Sequence, residues 1–218
     1  MKILELFPDL RKNGTVLCLG AHSDDIEIGC GGTLQQLAAS SENLTIHWVV
    51  ISASGVREQE ARASAKDYLS QVAHSELVIK NFRNGFFPYI GAEIKEFFET
   101  LKSLPRPDLI LTHYHRDLHQ DHRTVGELTW NTFRDHLILE YEIVKYDGDL
   151  GSPNLFVPLD RSHIAAKTSG LNRHFGSQHD KQWFSTDTFE GLSRLRGVQC
   201  NSATGLAEAF YCRKAVLG

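Results

Sequence analysis

Two short segments of this sequence carry most of the side chains that are suited to chemistry. In AHSDDIEIGCGG (residues 21–32), His22 is followed by the adjacent carboxylates Asp24 and Asp25. The second segment, HYHRDLHQDH (residues 113–122), contains four histidines and two aspartates. Neighbouring carboxylates repel each other, and a nearby cation relieves that repulsion. The two segments therefore predict a metal site.

Three of these side chains suit a catalytic metal. His22 and Asp25 are three residues apart, close enough within a turn to bind one ion, and His122 supplies a third ligand from the second segment. Two imidazoles and one carboxylate with an open position are typical of catalytic zinc, and the same set suits Fe²⁺ or another divalent metal. Asp24 is then free to act as a base on a water molecule whose pKa the metal lowers to about 7.

The same residues also have simpler interpretations. A single histidine or aspartate in a loop is more often a helix cap, a turn former or a solvated side chain than a metal ligand. That interpretation is favoured for His22 alone, and it weakens because a second histidine-rich segment occurs at an equivalent strand end. Gly29, Gly31 and Gly32 allow a turn or close helix packing. As a phosphate site they lack the G-x-G-x-x-G spacing and the Walker lysine.

The elements around the two segments alternate between strands and helices. Short apolar or β-branched runs predict strands at residues 15–20, 44–52, 76–80 and 107–112. Length, alanine content and helical spacing of apolar residues predict helices at residues 33–40, 57–72, 91–104 and 121–136. We therefore expect a Rossmann-like α/β fold, with a mainly parallel sheet and helices on both faces.

The rest of the chain continues this pattern without a repeat or a linker, so residues 1–218 are expected to form a single domain. The further predicted strands are residues 139–146, 154–159 and 208–214, and the further helices are residues 162–175 and 189–198. In an open parallel sheet, ligands bind outside the carboxyl ends of the strands, where the strand order reverses. Both histidine–aspartate segments directly follow predicted strands, so they should converge at this edge.

Composition argues against several classes of protein. The 218-residue chain has a formal net charge of −4, which argues against the broad basic surface of a nucleic-acid-binding protein. No apolar run reaches the length of a membrane span. Glu5 and Asp9 interrupt the apolar stretch that a signal peptide needs. We predict a soluble, cytoplasmic protein with four reduced, mostly buried cysteines. The sequence does not indicate an oligomeric state.

The motifs resemble those of a known family. AHSDDIEIGCGG followed by HQDH (residues 119–122) is similar to the PIG-L/LmbE-like N-deacetylases, zinc-dependent enzymes that remove acetyl groups from amino sugars and their conjugates. REQEARASAKDYL and, more loosely, KTSGLNRHFGSQ and GLAEAFYC extend the resemblance over most of the chain. The two motifs in this order are more specific than either alone. The family usually has proline where this chain has Ser23, a change that removes no ligand.

The resemblance implies a role for each polar residue of the two motifs. Asp24 would be the general base that takes a proton from water. His119 would be the second catalytic group, which stabilises the oxyanion or protonates the leaving amine. Asp121 would orient a histidine. The implied ligands of the zinc ion are the three residues already singled out, His22, Asp25 and His122.

Several other residues lie where they would contact a substrate. The resemblance implies such a role for Arg57 and Glu60 and, more loosely, for His174 and Gln178. An exposed pair at the start of a helix explains Arg57 and Glu60 equally well, and a surface turn is the alternative for the other two. NGFFPY (residues 84–89) is suited to stack on a sugar, although packing under a loop is the stronger interpretation.

These inferences predict a hydrolase that removes the N-acetyl group from an N-acetylated amino sugar or its nucleotide- or lipid-linked conjugate. The substrate would be a small molecule used in polysaccharide or glycoconjugate synthesis. Three alternatives stay open: a metal-dependent amidohydrolase acting on a non-sugar amide, a non-catalytic metal- or sugar-binding module, and a nucleotide-binding protein. His113 and His115 are either partners of the metal ligands or exposed side chains.

Overall fold

A seven-stranded sheet forms the centre of the computed structural model, which describes residues 10–216. The strands are β1 (Thr15–Gly20), β2 (Thr45–Val50), β3 (His74–Ile79), β4 (Leu109–His113), β5 (Ile138–Tyr141), β6 (Leu155–Pro158) and β7 (Ala207–Cys212). Their order across the sheet is β3-β2-β1-β4-β5-β7-β6. Strands β1 to β5 pair in parallel, whereas β7 runs antiparallel to β5 and β6. The prediction of a mainly parallel α/β fold is confirmed.

Helices cover both faces of this sheet, as predicted. They are α1 (Leu10–Asn13), α2 (Asp25–Ser40), α3 (Gly55–Leu69), α4 (Gly91–Thr100), α5 (Gln120–Thr132), α6 (Arg161–His174) and α7 (Thr186–Gln199). Single 3₁₀ turns lie at Phe87–Tyr89, Leu101–Ser103 and Gly176–Gln178. One apolar core joins the sheet to α2, α3, α6 and α7, and a second joins the opposite face to α4 and α5.

The central strand shows why its sequence is apolar throughout. Val16 and Cys18 belong to the first core, whereas Leu17 and Leu19 belong to the second. Successive side chains of a strand point to opposite faces, so a strand covered on both sides needs a continuous apolar run rather than an alternating one. TVLCLG (residues 15–20) satisfies this requirement.

The strand order reverses next to β1. The chain continues from β1 to β2 and β3 on one side, then crosses to β4 on the other side. The crevice outside the carboxyl ends of β1 and β4 is therefore the topological switch point at which open α/β sheets bind ligands. The two histidine–aspartate segments leave the sheet at these two strand ends.

Helix α2 begins at Asp25, eight residues before its predicted start at residue 33, so that prediction was wrong. The glycines lie inside the helix, which is kinked at Cys30 (φ −145°, ψ 16°). They are needed for packing, because a Cβ atom on Gly29 would overlap the ring of Tyr141, and one on Gly32 would overlap Leu159. Close approach of helix and sheet explains the glycines without a phosphate ligand.

A buried ion pair stabilises the kink in α2. Glu208 accepts hydrogen bonds from the backbone N–H groups of Gly32 and Thr33 at 2.9 and 2.7 Å, so its carboxylate caps the second half of the helix. Lys167 donates to the carbonyl of Ile28 at 2.6 Å and pairs with Glu208 at 2.6 Å. Backbone groups on both sides of the kink are thereby satisfied.

Strand β5 is shorter than predicted, because it ends at Tyr141 rather than near residue 146. The next residue, Glu142, is buried in an ion pair with Arg196 at 2.6 Å, and residues 142–154 contain no helix or strand. This contact with α7 draws the chain away from the ladder. The other predicted elements correspond to observed ones, with ends that differ by a few residues.

Further expectations concern the membrane, the cysteines and the N-terminus. Between Leu10 and Val216, no helix combines the length and apolarity needed to cross a membrane. All four cysteines lie in this range and are free thiols; Cys18 and Cys30 are buried, and Cys200 and Cys212 are partly buried. Residues 1–9, on which the signal-peptide expectation rests, lie outside the described residues.

Gly29→Ala should destabilise the fold, because the added methyl group must displace the fully buried Tyr141 ring. Overpacking of this kind typically costs about 1–3 kcal/mol, which urea unfolding would measure. Gly191→Ala in α7 is the matched control, since its Cβ would meet nothing within 4 Å of the described atoms. The control should be neutral or slightly stabilising, and an equal loss in both variants would contradict the packing explanation.

Candidate active site

The two histidine–aspartate segments meet at the switch point. His22 lies in the turn after β1, Asp24 precedes α2, and Asp25 is the first residue of that helix. After β4, residues 114–119 form a loop, and His122 lies in the first turn of α5. Asp24, Asp25 and His122 are buried, whereas the side chain of His22 is 16% exposed. The predicted convergence of the two segments is observed.

Ligand atoms of three residues lie close together here. His22 Nδ1 lies 3.2 Å from His122 Nε2 and 3.3 Å from Asp25 Oδ2, and His122 Nε2 lies 3.5 Å from Asp25 Oδ1. The backbone N–H of His22 donates to Asp25 Oδ2 at 2.6 Å, which fixes the carboxylate within the turn. Two nitrogens and a carboxylate at such spacing fit a divalent metal with an open position.

The far side of each imidazole is held by an aspartate. His22 Nε2 lies 3.3 Å from Asp121 Oδ2, and His122 Nδ1 lies 3.0 Å from Asp117 Oδ2. When each carboxylate accepts the ring proton, the opposite nitrogen keeps its lone pair for a ligand. His22 is thus the histidine that Asp121 contacts, in keeping with the orienting role that the resemblance implies for Asp121.

The charges around the site favour a cation. Burial opposes a positive charge on His22, but the Asp25 and Asp121 carboxylates outweigh it and raise the pKa of His22 to about 10. Burial and the neighbouring His113 lower the pKa of His122 to about 3, so its ring is neutral. Burial also raises the pKa of Asp24, against the influence of the Arg57 guanidinium.

The other histidines of the second segment have different surroundings. His113 is fully buried, its Nε2 accepts the N–H of Ala21 at 2.9 Å and it lies 3.1 Å from Asp25 Oδ2, so it is not an exposed side chain. His119 lies within ligand distance of His22 and His122. Burial and the charge on His22 lower the pKa of His119. Two groups of residues bring ligand atoms within 4.8 Å of one another, namely His22–His119–His122 and Asp25–His113–His122. His115 instead contacts Glu140 at 2.7 Å and belongs to neither group.

Asp24 is held differently from Asp25. Its Oδ1 atom accepts a hydrogen bond from Arg57 at 2.7 Å, whereas its buried Oδ2 atom has no hydrogen-bond partner among residues 10–216. Arg57 comes from the first turn of α3, which follows β2 at the same edge of the sheet. Two adjacent carboxylates therefore have separate surroundings, one among imidazoles and one against a guanidinium.

Three of the four predicted substrate contacts are connected to Asp24. Arg57 contacts it directly, Glu60 contacts Arg57, and Gln178 is linked to Glu60 through Ser177. Arg57 lies 3.2 Å from Glu60, and Ser177 donates to Glu60 at 2.7 Å. Gln178 is buried and donates to Ser177 at 2.9 Å. His174 instead binds Asp67 at 2.9 Å, ten residues further along α3 than Arg57. The structure does not bring His174 to the other three.

Residues 84–89 are partly packed in the core and partly exposed, so each of the two interpretations holds for part of the segment. Phe87 is fully buried, whereas Tyr89 is 76% and Phe86 37% exposed. The backbone N–H groups of Gly85 and Phe87 donate to the two oxygens of Asp121 at 2.6 and 3.1 Å. These bonds hold the segment that carries the exposed rings against the start of α5, where Asp121 contacts His22.

Sequence reasoning assigned no role to Asp117 or Lys145. Asp117 had a usable signal, since it is an acidic residue five positions before a proposed ligand within the same segment. Lys145, which lies 2.9 Å from Asp117, had none. It comes from the segment after β5 that the sequence assigned to a strand.

The family is decided by a match over more than half of the chain. The sequence model described as PIG-L, GlcNAc-PI de-N-acetylase, matches residues 17–133. The chain belongs to the PIG-L family. The matched residues include both histidine–aspartate segments and Arg57, which agrees with the predicted membership.

Solved structures share the fold of this PIG-L family member. The conserved protein TT1542 from Thermus thermophilus has a TM-score of 0.71 at 17% identity, over 93% of this chain and 96% of that chain. N,N′-diacetylchitobiose deacetylase from Pyrococcus horikoshii has a TM-score of 0.66 at 18% identity, over 90% of this chain and 82% of that chain. The 4-carboxy-2-hydroxymuconate hydratase GalB from Pseudomonas putida has a TM-score of 0.65 at 15% identity, over 94% of this chain and 98% of that chain. At this identity the likeness establishes the fold, on which different reactions occur.

His122→Ala should lower the metal content of this PIG-L family member, because it removes one of the three predicted protein ligands. The unaltered protein should carry about one divalent ion per chain, measured by elemental analysis. His115→Ala is the control, since His115 contacts Glu140 outside the cluster, and it should retain the metal. Full occupancy in the His122 variant would remove that residue from the ligand set.

Proposed function

We propose that this PIG-L family member is a metal-dependent hydrolase that removes the N-acetyl group from an acetylated amino sugar or its nucleotide- or lipid-linked conjugate. The observation that carries the proposal is the state of Asp24, the neighbour of the proposed ligand Asp25. Its Oδ2 atom is buried and accepts no hydrogen bond from residues 10–216. A carboxylate oxygen available beside a metal site is what a general base for hydrolysis requires. The description of the family as a GlcNAc-PI de-N-acetylase supports a sugar amide as the substrate.

The metal would be held by His22 Nδ1, His122 Nε2 and a carboxylate oxygen of Asp25. Zn²⁺ is the first choice for this donor set, and Fe²⁺ or another divalent ion also suits it. When bound, such an ion polarises the amide carbonyl and lowers the pKa of water to about 7. Side chains of the protein carry out the proton transfers and bind the oxyanion.

Asp24 handles the proton of the attacking water. Its Oδ2 atom accepts that proton while the water oxygen forms a bond to the carbonyl carbon. Arg57 occupies Oδ1 and thereby leaves Oδ2 as the reacting atom. When the C–N bond breaks, the proton passes from Asp24 to the leaving nitrogen. The products are acetic acid and the free amine, which exchange a proton to give acetate and the ammonium form.

His119 is suited to bind the oxyanion. Its Nδ1 atom accepts the N–H of Asp121 at 3.2 Å, so the proton of the neutral ring lies on Nε2. A neutral histidine of this tautomer donates a hydrogen bond to a developing negative charge. Of the two roles considered for His119, the contact with Asp121 favours oxyanion stabilisation over proton delivery.

The substrate would bind across the loops that follow β2 and β3. Arg57 and Glu60 offer a donor and an acceptor for sugar hydroxyls, and Gln178 extends this group through Ser177. The exposed rings of Phe86 and Tyr89 are suited to stack on a sugar face. His174 as a substrate contact and a cytoplasmic location stay predictions from sequence.

We further propose that residues 1–218 act as one domain. Strands β5, β6 and β7 lie beyond the matched residues 17–133, yet they extend the same sheet. Helix α2 begins at the site, and Glu208 from β7 caps the part of this helix that follows its kink. The last strand therefore supports the helix that carries Asp25.

A substrate panel tests the proposed activity. Metal-loaded protein would be incubated with N-acetylated amino sugars, their nucleotide- and lipid-linked forms, and simple N-acetyl amines, and mass spectrometry would detect loss of the acetyl group. We expect cleavage of the sugars and little cleavage of the simple amides. Cleavage of the simple amides alone would favour the amidohydrolase alternative. No cleavage of any compound would favour a non-catalytic module.

Asp24→Asn and Asp25→Asn should separate two functions of adjacent residues. Asn at position 24 cannot take a proton, so turnover should fall by about 10²–10⁴-fold while the metal content stays near that of the unaltered protein. Asn at position 25 should lower the metal content itself. Elemental analysis beside the deacetylation rate measures both effects. Normal turnover of the Asp24 variant would show that another group is the base.

A further inference from the structure

A lysine outside both motifs reaches the metal-ligand residues. The segment of residues 142–154 has no helix or strand, yet the Lys145 side chain within it is only 7% exposed. Its Nζ atom lies 2.5 Å from Asp149 Oδ2 and 2.9 Å from Asp117 Oδ1. The side chains of both aspartates are also almost completely buried. Burying one cation between two carboxylates is costly unless its geometry is well defined.

Asp117 connects this lysine to a proposed ligand. Its Oδ2 atom lies 3.0 Å from His122 Nδ1, and its Oδ1 atom accepts the backbone N–H of His119 at 2.7 Å. Asp149 accepts the N–H of Leu118 at 2.8 Å. One ammonium group therefore fixes two carboxylates that together hold the loop between β4 and α5.

We propose that Lys145 is a positioning residue for the metal site. It orients Asp117 so that Oδ2 accepts the Nδ1 proton of His122, which keeps the Nε2 lone pair of that ring for the metal. Without the ammonium group, the carboxylates of Asp117 and Asp149 lose their shared cation and repel each other. The inference rests on the metal site of the proposed function, and it does not depend on the identity of the substrate.

A second residue holds the same segment without contacting Asp117. Arg196 on α7 pairs with Glu142 at 2.6 Å and donates to the carbonyl of Gly151 at 3.1 Å. It thus anchors both ends of the segment that carries Lys145. Arg196 is the matched control, since it holds the same segment through Glu142 and Gly151 but makes none of the Lys145–Asp117–His122 contacts.

The test compares the metal affinity of Lys145→Met, Lys145→Arg and Arg196→Met, by titrating Zn²⁺ into metal-free protein against a chromophoric chelator. Loss of a residue that orients a ligand typically weakens metal binding by about 10–100-fold. We expect that loss for Lys145→Met and substantial recovery for Lys145→Arg. We expect Arg196→Met to lower the Tm. Its Zn²⁺ affinity should stay within about twofold of that of the unaltered protein, a much smaller change than loss of a ligand-orienting residue causes.

Two results would overturn the positioning role: unchanged affinity in Lys145→Met, or an equal loss in Arg196→Met. If the methionine variant does not fold, Lys145→Gln replaces it, because glutamine keeps a donor near Asp117 without the charge. The same two results then apply to the glutamine variant. Zn²⁺ affinity is measured without substrate. The test of Lys145 therefore stays valid even if the protein shows no deacetylation.

Discussion

Burial of two adjacent carboxylates is the constraint on which the site depends. Asp24 and Asp25 are almost fully buried, and two such charges without partners would be strongly unfavourable. The protein supplies different partners for each: the Arg57 guanidinium for Asp24, and the imidazole and backbone N–H of His22 for Asp25. This division separates the proposed base from the proposed ligand.

The partners come from elements that are distant in sequence, and the sheet brings them together. Parallel pairing of β1 with β2 and with β4 places the ends of all three strands at one edge. The turn after β1 and the start of α2 carry the carboxylates, the helix after β2 carries Arg57, and the helix after β4 carries His122. Only at the switch point do such loops diverge enough to leave a crevice.

Helix α2 must be held firmly because its first residue is a proposed ligand. Its glycines allow it to approach Tyr141 closely, and the buried Lys167–Glu208 pair satisfies the backbone groups at its kink. The hydroxyl of Tyr141 donates to the carbonyl of Leu19 at 2.6 Å, one residue before the strand ends. Packing, ion pair and hydrogen bond act together on the turn that contains His22.

The sequence by itself determined the fold class, the order of most elements and the residue types of the site. Strongly apolar strands and regular helices are local patterns, and the two motifs carry the proposed ligand residues on short, recognisable spacings. It did not determine the start of α2 at Asp25, because glycines inside a helix that permit close packing look the same in sequence as glycines that precede a helix. Only the tertiary structure decided that Arg57 would face Asp24, that Asp117 would bind His122, and that Lys145 would join them. Such contacts depend on where strands and loops meet in space, which no local spacing specifies.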